Sequence, residues 1–352
     1  MEFPIYTTRD LYAVMYDLRQ ETPSTYWLDL LFPGVHMSDR EEIIFERITS
    51  KRKIAPFVLP TVPGKPTWTR DGSTVAMFKP AYVKPKDAVR PSDQISRQPG
   101  DLFTLQPRSP KANFDNEVIR ITGYHRNIIT RRWEWLAARA AIDGQVTISG
   151  DGYPTVVIDF GRAGNQTIVK TGGGVWTDTY DILGDIQMWS DRMSQAPFGG
   201  IPNRLTVGSD AWAVMRTNQG ILKAMDTQMR GNTSLTINTG LVAPTKAPDG
   251  VKFLGRLSEG IDLYTYSDYY VDNSNTPVPF MGTKDVVLTS PGVEGVKAFG
   301  AIQDIAANMT PIDIFPKMFD ENDPSARFIL SQSAPLMIPV NPNCTLKATV
   351  LE

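Results

Sequence analysis

The sequence has one cysteine, Cys344, and two histidines, His36 and His125. A single thiol cannot close an internal disulfide, so the fold does not depend on oxidation. Neither histidine stands at a metal-ligand spacing from another histidine or a cysteine. A GxSxG nucleophile elbow is missing. Gly172-Gly173-Gly174 is not followed by Gly-Lys-Ser/Thr and opens no evident helix, so it reads as a tight turn rather than a phosphate loop. Asp320-Glu321-Asn322-Asp323-Pro324 lacks the central glycine and closing glutamate of a calcium loop. No apolar run approaches the ~18 residues that span a bilayer. The start, Met1-Glu2-Phe3-Pro4-Ile5-Tyr6, has no basic or apolar leader pattern, so the sequons at Asn165, Asn232, Asn308 and Asn343 read as chance. These absences point to a soluble, cytoplasmically made protein without a recognisable catalytic, cofactor or metal site. Carboxylates such as Asp159 and Asp181 could form a pair only through the fold, and the sequence gives no reason to join them.

The chain also lacks a charge surplus. Its 352 residues carry 36 basic and 38 acidic side chains, a net charge of −2. A protein whose main work is gripping phosphates needs a basic excess. The distribution is uneven, however. Residues 40–111 hold 14 Lys/Arg against 7 Asp/Glu, and residues 146–352 hold 15 against 21. Two copies could attract each other through these opposite regions; a merely solvated surface is the other reading. The hydrophobic share of 41% is ordinary for a globular chain, and the length accommodates two domains.

Thr8 is a candidate N-cap for a short helix through Leu11, Val14, Met15 and Leu18, ended before Pro23. Tyr26-Trp27-Leu28 and Leu30-Leu31-Phe32 follow with little local structure to cover them. They suit either an arm on a neighbouring subunit or a segment docked on its own domain. Ten prolines fall between Ile54 and Pro110, and Asp71-Gly72 marks a hairpin turn between Thr67–Thr69 and Thr74–Phe78. A proline-stiffened stretch of this length is more than a linker or an ordinary loop.

One long helix is expected over 113–143. Asn113 or Asp115 caps it, and Gly144 takes the left-handed position after its end. Phe114, Val118, Ile121, His125, Ile128, Leu136 and Ala140 form its apolar stripe, widened by Ile129 and Trp133. On that stripe His125 reads as a hydrogen-bonded core residue, and Trp133 and Trp135 read as packing. Gly123 marks a candidate bend. A hairpin over 145–161 follows. A mixed region begins at Asp181, with a helix through Ile182, Ile186 and Trp189, a strand Leu205–Val207 leading into a helix over Ala211–Met215, and helix over Leu222–Met229. Strands of a small sheet are expected at Ile261–Tyr266 and Asp285–Thr289, and further strands within 299–340.

The segment Phe78-Lys79-Pro80-Ala81-Tyr82-Val83-Lys84-Pro85-Lys86-Asp87-Ala88-Val89-Arg90-Pro91 is extended, because three prolines forbid helix. Val83 and Val89 alternate with Lys84, Lys86 and Arg90, which gives one apolar and one basic face. With few apolar residues, such a ribbon reads as lying outside the core and seeking a partner surface.

This segment resembles the extended loop of lambda-type (E-type) major capsid proteins of tailed phages. Phe299-Gly300-Ala301-Ile302-Gln303-Asp304 and Gln332-Ser333-Ala334-Pro335-Leu336-Met337 carry the same resemblance, in the same order. Tyr6-Thr7-Thr8, Arg70–Thr74, Gly172-Gly173 with Trp176, and Asp323–Arg327 extend it along nearly the whole chain; 200–298 matches least. The resemblance implies an α+β fold of the Hong Kong 97 capsid type. Its parts would be an N-terminal arm (1–50), an extended loop (51–111), a peripheral domain with a spine helix (112–180), an axial domain (181–298) and closing peripheral strands (299–352). It implies a structural, non-catalytic protein whose hexamers and pentamers build an icosahedral head shell around double-stranded DNA, in the virion, after assembly in the host cytoplasm. Lys79, Tyr82, Lys84, Lys86 and Arg90 of the loop would contact neighbouring subunits. Implied partners are further copies of the chain, a separate scaffolding protein, a portal protein and a decoration protein, with neither a membrane nor sequence-specific DNA binding. The rival readings are a nanocompartment shell protein and an enzyme of unknown class.

Overall fold

The computed structural model describes residues 4–17, 23–40, 42–49, 72–90, 109–150, 153–223, 250–257, 260–272, 274–321 and 326–352. Helix α1 (Thr8–Met15) begins one residue earlier than its sequence signal. Thr7 is the N-cap, and it exchanges hydrogen bonds with Asp10 in a capping box. Helix α2 (Trp27–Leu31) is one short turn-and-a-half. The spine, α3 (Pro110–Ile142), runs 33 residues, on the order of 50 Å. Its cap is Ser109, whose hydroxyl accepts from the Ala112 N–H, with proline in the first turn. Asn113 and Asp115, expected as caps, lie inside the helix, which continues through Gly123. Gly144 has φ +69°, the left-handed turn that stops the helix. There the Arg162 guanidinium donates to the freed carbonyls of Ala141 and Ile142.

Around this rod lie the strands β1 (Gly34–Met37), β2 (Ile43–Thr49), β3 (Gly72–Phe78), β4 (Lys86–Val89), β5 (Gln145–Gly150), β6 (Tyr153–Asp159) and β7 (Thr167–Val169). Helix α4 (Ile182–Gln195), β8 (Arg204–Val207) and α5 (Ser209–Met215) come next. The remaining strands are β9 (Val251–Arg256), β10 (Asp262–Tyr266), β11 (Tyr269–Val271), β12 (Pro277–Pro279), β13 (Asp285–Thr289), β14 (Val296–Phe299), β15 (Phe315–Glu321), β16 (Ala326–Gln332), β17 (Pro335–Ile338) and β18 (Thr345–Thr349).

The expected small sheet is larger, a six-stranded mixed sheet in the order β7-β18-β13-β8-β10-β9. Its central strand β13 is buried at every position, which is why Val286-Val287-Leu288 is a continuous apolar run. One face packs α4 and α5 through Trp176, Trp189, Ile186 and Leu263. Val287 of the same strand belongs to the main core, with the alanine-rich end of α3 and with Trp27 and Phe32. The bulky N-terminal residues therefore dock on their own chain, with Trp27 and Phe32 both fully buried.

The first half of α3 packs a separate layer of three strands, β15-β16-β4. Leu11, Val89, Phe114, Val118, Ile121, Met318 and Ile329 form its core. This corrects the reading of 78–91 as a ribbon with nothing of its own to fold onto. Strand β4 pairs with β16 from Arg327↔Val89 to Leu330↔Lys86, and Val83 bridges Ser333. Ile128 is only half-buried, and Ile129 takes the buried position beside Met15 and Ile314. Strand β3 pairs with β2, from Ile43↔Phe78 to Thr49↔Gly72. Gly72, expected in a turn, is instead the first residue of β3. Asp71 and the Thr67–Thr69 half of the expected hairpin, and most of the helix expected over Leu222–Met229, lie outside the described residues.

Candidate inter-subunit interface

The basic segment leaves β3 at Phe78, whose ring meets Phe160 edge-on, so the ribbon's base is tied to the core. Lys79 follows, exposed. Tyr82 is half-buried; its hydroxyl donates to the Ala301 carbonyl (2.7 Å) and accepts from the Gln303 N–H (2.8 Å). Lys84 is exposed, with its ammonium 4.7 Å from the Tyr82 ring centre. The exposed Lys86 ammonium sits 3.8 Å from the Phe328 ring and 5.4 Å from Phe319. Arg90 is exposed at the end of β4, beside the buried Val89. The segment thus has one face fixed to its own chain, and it brings Lys84, Lys86 and Arg90 to the surface along one edge.

Asp87, half-exposed on β4, turns its carboxylate to His125 of α3. His125 Nε2 donates to the Asp87 carboxylate (3.0 Å), and Nδ1 accepts from the Ser331 hydroxyl (3.0 Å). The partners fix this tautomer, and burial lowers the imidazole pKa against the raising pull of Asp87. The order of groups is that of a serine-nucleophile triad. Here the Ser331 hydroxyl is sealed inside a sheet, and His125 is fully buried, so no carbonyl can reach them. The cluster ties loop root, spine helix and sheet together. Asp159 and Asp181, the carboxylates considered as a pair, each serve their own turn by accepting from Gly161 N–H and Gly184 N–H. Among the described residues no group of three or more His, Cys, Asp or Glu could hold a metal ion.

Sequence reasoning missed Glu134. It lies on the buried side of α3 and is 1% exposed. Its carboxylate accepts the backbone N–H groups of Tyr26 (3.1 Å), Trp27 (2.8 Å) and Leu28 (3.0 Å), and the Tyr266 hydroxyl (3.3 Å). It therefore satisfies the free donors at the start of α2, which has no capping side chain of its own. Burial pushes the carboxyl up to about 7, against the lowering pull of those N–H groups. Tyr26 in turn stacks on Tyr266 and bonds Thr206 of β8, so the N-terminal segment, the spine and the six-stranded sheet meet here. A charged residue breaking the apolar stripe of α3 was the only sequence signal.

The model of the family described as phage major capsid protein E matches residues 7–350. The chain belongs to that family. It is a major capsid protein, and such proteins form the head shell of tailed phages and are components of the virion. The major capsid protein of Escherichia phage lambda is 27% identical over 347 residues, covering 96% of this chain and 97% of that protein. That of Escherichia phage N15 is also 27% identical, over 354 residues, with the same coverage. Among solved structures, the putative capsid protein of a prophage of E. coli CFT073 superposes with a TM-score of 0.72 at 22% identity, covering 99% of each chain. A phage-related protein of Bordetella bronchiseptica RB50 gives 0.51 at 13%, covering 99% of this chain and 97% of that one. These likenesses establish the Hong Kong 97-like capsid fold, α+β as the sequence implied. No helix among the described residues is long and apolar enough to cross a membrane.

Proposed function

We propose that this capsid protein forms hexamers and pentamers that close into an icosahedral shell around double-stranded DNA, and that the 51–111 loop ties each subunit to its neighbour. The observation that carries this is the two-stranded ribbon β2–β3. Ile44 and Met77 are directly paired across it and stand 46% and 61% exposed. A two-stranded ribbon is marginal on its own in water, and an exposed apolar cross-strand pair on it calls for a covering surface. A second copy supplies one in a shell. Below the ribbon, Lys79, Lys84, Lys86 and Arg90 form a basic root suited to acidic groups of that copy, and Tyr82 anchors that root to Ala301 and Gln303 of its own chain. The division into an N-terminal segment (1–50), docked on its own chain rather than reaching a neighbour, loop (51–111), peripheral (112–180 and 299–352) and axial (181–298) parts belongs to the same proposal, with one further change. The pairing of β2 with β3 moves the loop's start back to about Ile43. A scaffolding protein, a portal and a decoration protein complete the proposed partners. The near-neutral chain encloses DNA without gripping it.

The test is the double substitution Lys84→Glu and Lys86→Glu. Each exposed pair contributes only ~0–1 kcal/mol, but every subunit contact repeats it. Shell yield should fall sharply at low salt, and the parent's yield should itself drop as salt screens the contact. The isolated subunit should lose only about 1–2 kcal/mol, from the Lys86–Phe328 and Lys84–Tyr82 contacts. Parental yield of the double variant at both low and high salt would show that these lysines are merely solvated.

A further inference from the structure

The loop between β14 and β15 is built as a rigid apolar knob. Ala301 bridges Pro311 at its base, and Ile302 N–H bonds the Thr310 carbonyl above that. The Asp304 carboxylate braces the turn by accepting from Ala306 N–H (2.9 Å), the Lys317 ammonium (3.1 Å) and the Gln332 amide (2.9 Å). Ala307 is buried beneath it. At the tip, Asn308 and Met309 both hold left-handed backbone, with φ of +50° and +54°. That conformation costs roughly 1 kcal/mol or more for each non-glycine residue and persists only where the surroundings impose it. The side chains so displayed are Ile305, 87% exposed, and Met309, 65% exposed. Ile305 is the most exposed large apolar residue among those described.

Nothing in the braced loop requires isoleucine at that point, because its side chain touches solvent rather than core. A partner surface does explain it. We propose that Ile305 and Met309 form a contact knob that seats in an apolar depression on a second copy of this chain. The second copy is the occupant for two reasons. Members of this family assemble into shells, so each chain is surrounded by its own kind. The knob's base is also held by the Tyr82 hydroxyl, through Ala301 and Gln303, so it is continuous with the loop root assigned above to the subunit contact. The inference rests on that assignment for its location, and its test is independent of it. A rigid tip loses little conformational entropy on docking, so burial of two large side chains is retained as contact energy.

Cys344 is the only cysteine and is buried, so a cysteine placed at 305 is the one accessible thiol. Ile305→Cys should react with a small thiol reagent at least tenfold more slowly in assembled shells than in free subunits, and fully after the shells are unfolded. Ile305→Asp should lower shell yield at least tenfold and leave the melting temperature of the subunit close to the parent's, since the side chain is 87% exposed. Equal labelling rates in shells and subunits would overturn the knob, whatever Ile305→Asp does; so would parental shell yield from Ile305→Asp. If Lys84→Glu with Lys86→Glu blocks assembly while Ile305→Cys shells label freely, the loop assignment stands and the knob falls.

Discussion

Glu134 and Val89 show how much a single side chain decides in this fold. Glu134 replaces the missing cap of α2, so Glu134→Ala should orphan three buried N–H groups and destabilise the subunit by at least about 3 kcal/mol. Its ionisation works in the opposite direction. The native carboxyl is raised to about 7 from an ordinary 4.5, so between these values the folded chain holds a proton that the unfolded chain has lost. The group's contribution is fully present below about pH 4.5 and is lost as pH rises through about 7. A shift of this size corresponds to about 3 kcal/mol at most. Glu134→Gln cannot titrate, so its melting temperature should fall less between pH 5 and pH 8 than the parent's. Equal falls in thermal melts at the two pH values would place the carboxyl's titration elsewhere. His125 is the simpler case: an apolar-stripe position read as a hydrogen-bonded core histidine, and found between Asp87 and Ser331.

Strand β4 joins two roles that the sequence kept apart. Its alternation gave the basic face, but its pairing partner, β16, lies more than two hundred residues away. No local pattern announces such a pairing, because register depends on which edge is free after the rest has folded. The consequence is a difference between the two ends of the loop. Val89→Ala should cost about 2 kcal/mol in subunit stability, because Val89 is 3% exposed in a packed cluster. Replacing residues 51–70 by a short turn should leave the subunit's denaturant midpoint close to the parent's and abolish shells. A midpoint for Val89→Ala equal to the parent's would restore the reading of β4 as a detachable ribbon. The long helix was the clearest element in the sequence, for its 3–4 spacing persists over most of its length. Its start was misplaced by three residues because Asn113 and Asp115 resemble caps, while Ser109-Pro110 forms the one used.

The chain closes on itself through its N-terminal segment. Leu11 of α1 covers the first half of α3, Met15 its middle at Ile129, and Trp27, Leu31 and Phe32 its end. A chain beginning at Pro33 should therefore bare the spine along its length and fail to fold, measurable as lost near-ultraviolet dichroism and aggregation. A soluble, cooperatively melting product would return these residues to the role of an arm on a neighbour. Composition and motif spacing showed no recognisable catalytic, cofactor or metal pattern, and the resemblance carried by residues 78–91, 299–304 and 332–337 pointed to a capsid protein, because such features are local or additive along the chain. Which residues are free for that assembly is a different matter. It depended on long-range pairing: β4 on β16, α2 on Glu134, and the braced turn that leaves Ile305 exposed while Tyr82 is engaged. Burial and register are properties of what surrounds a residue, and those surroundings exist only once distant segments have met.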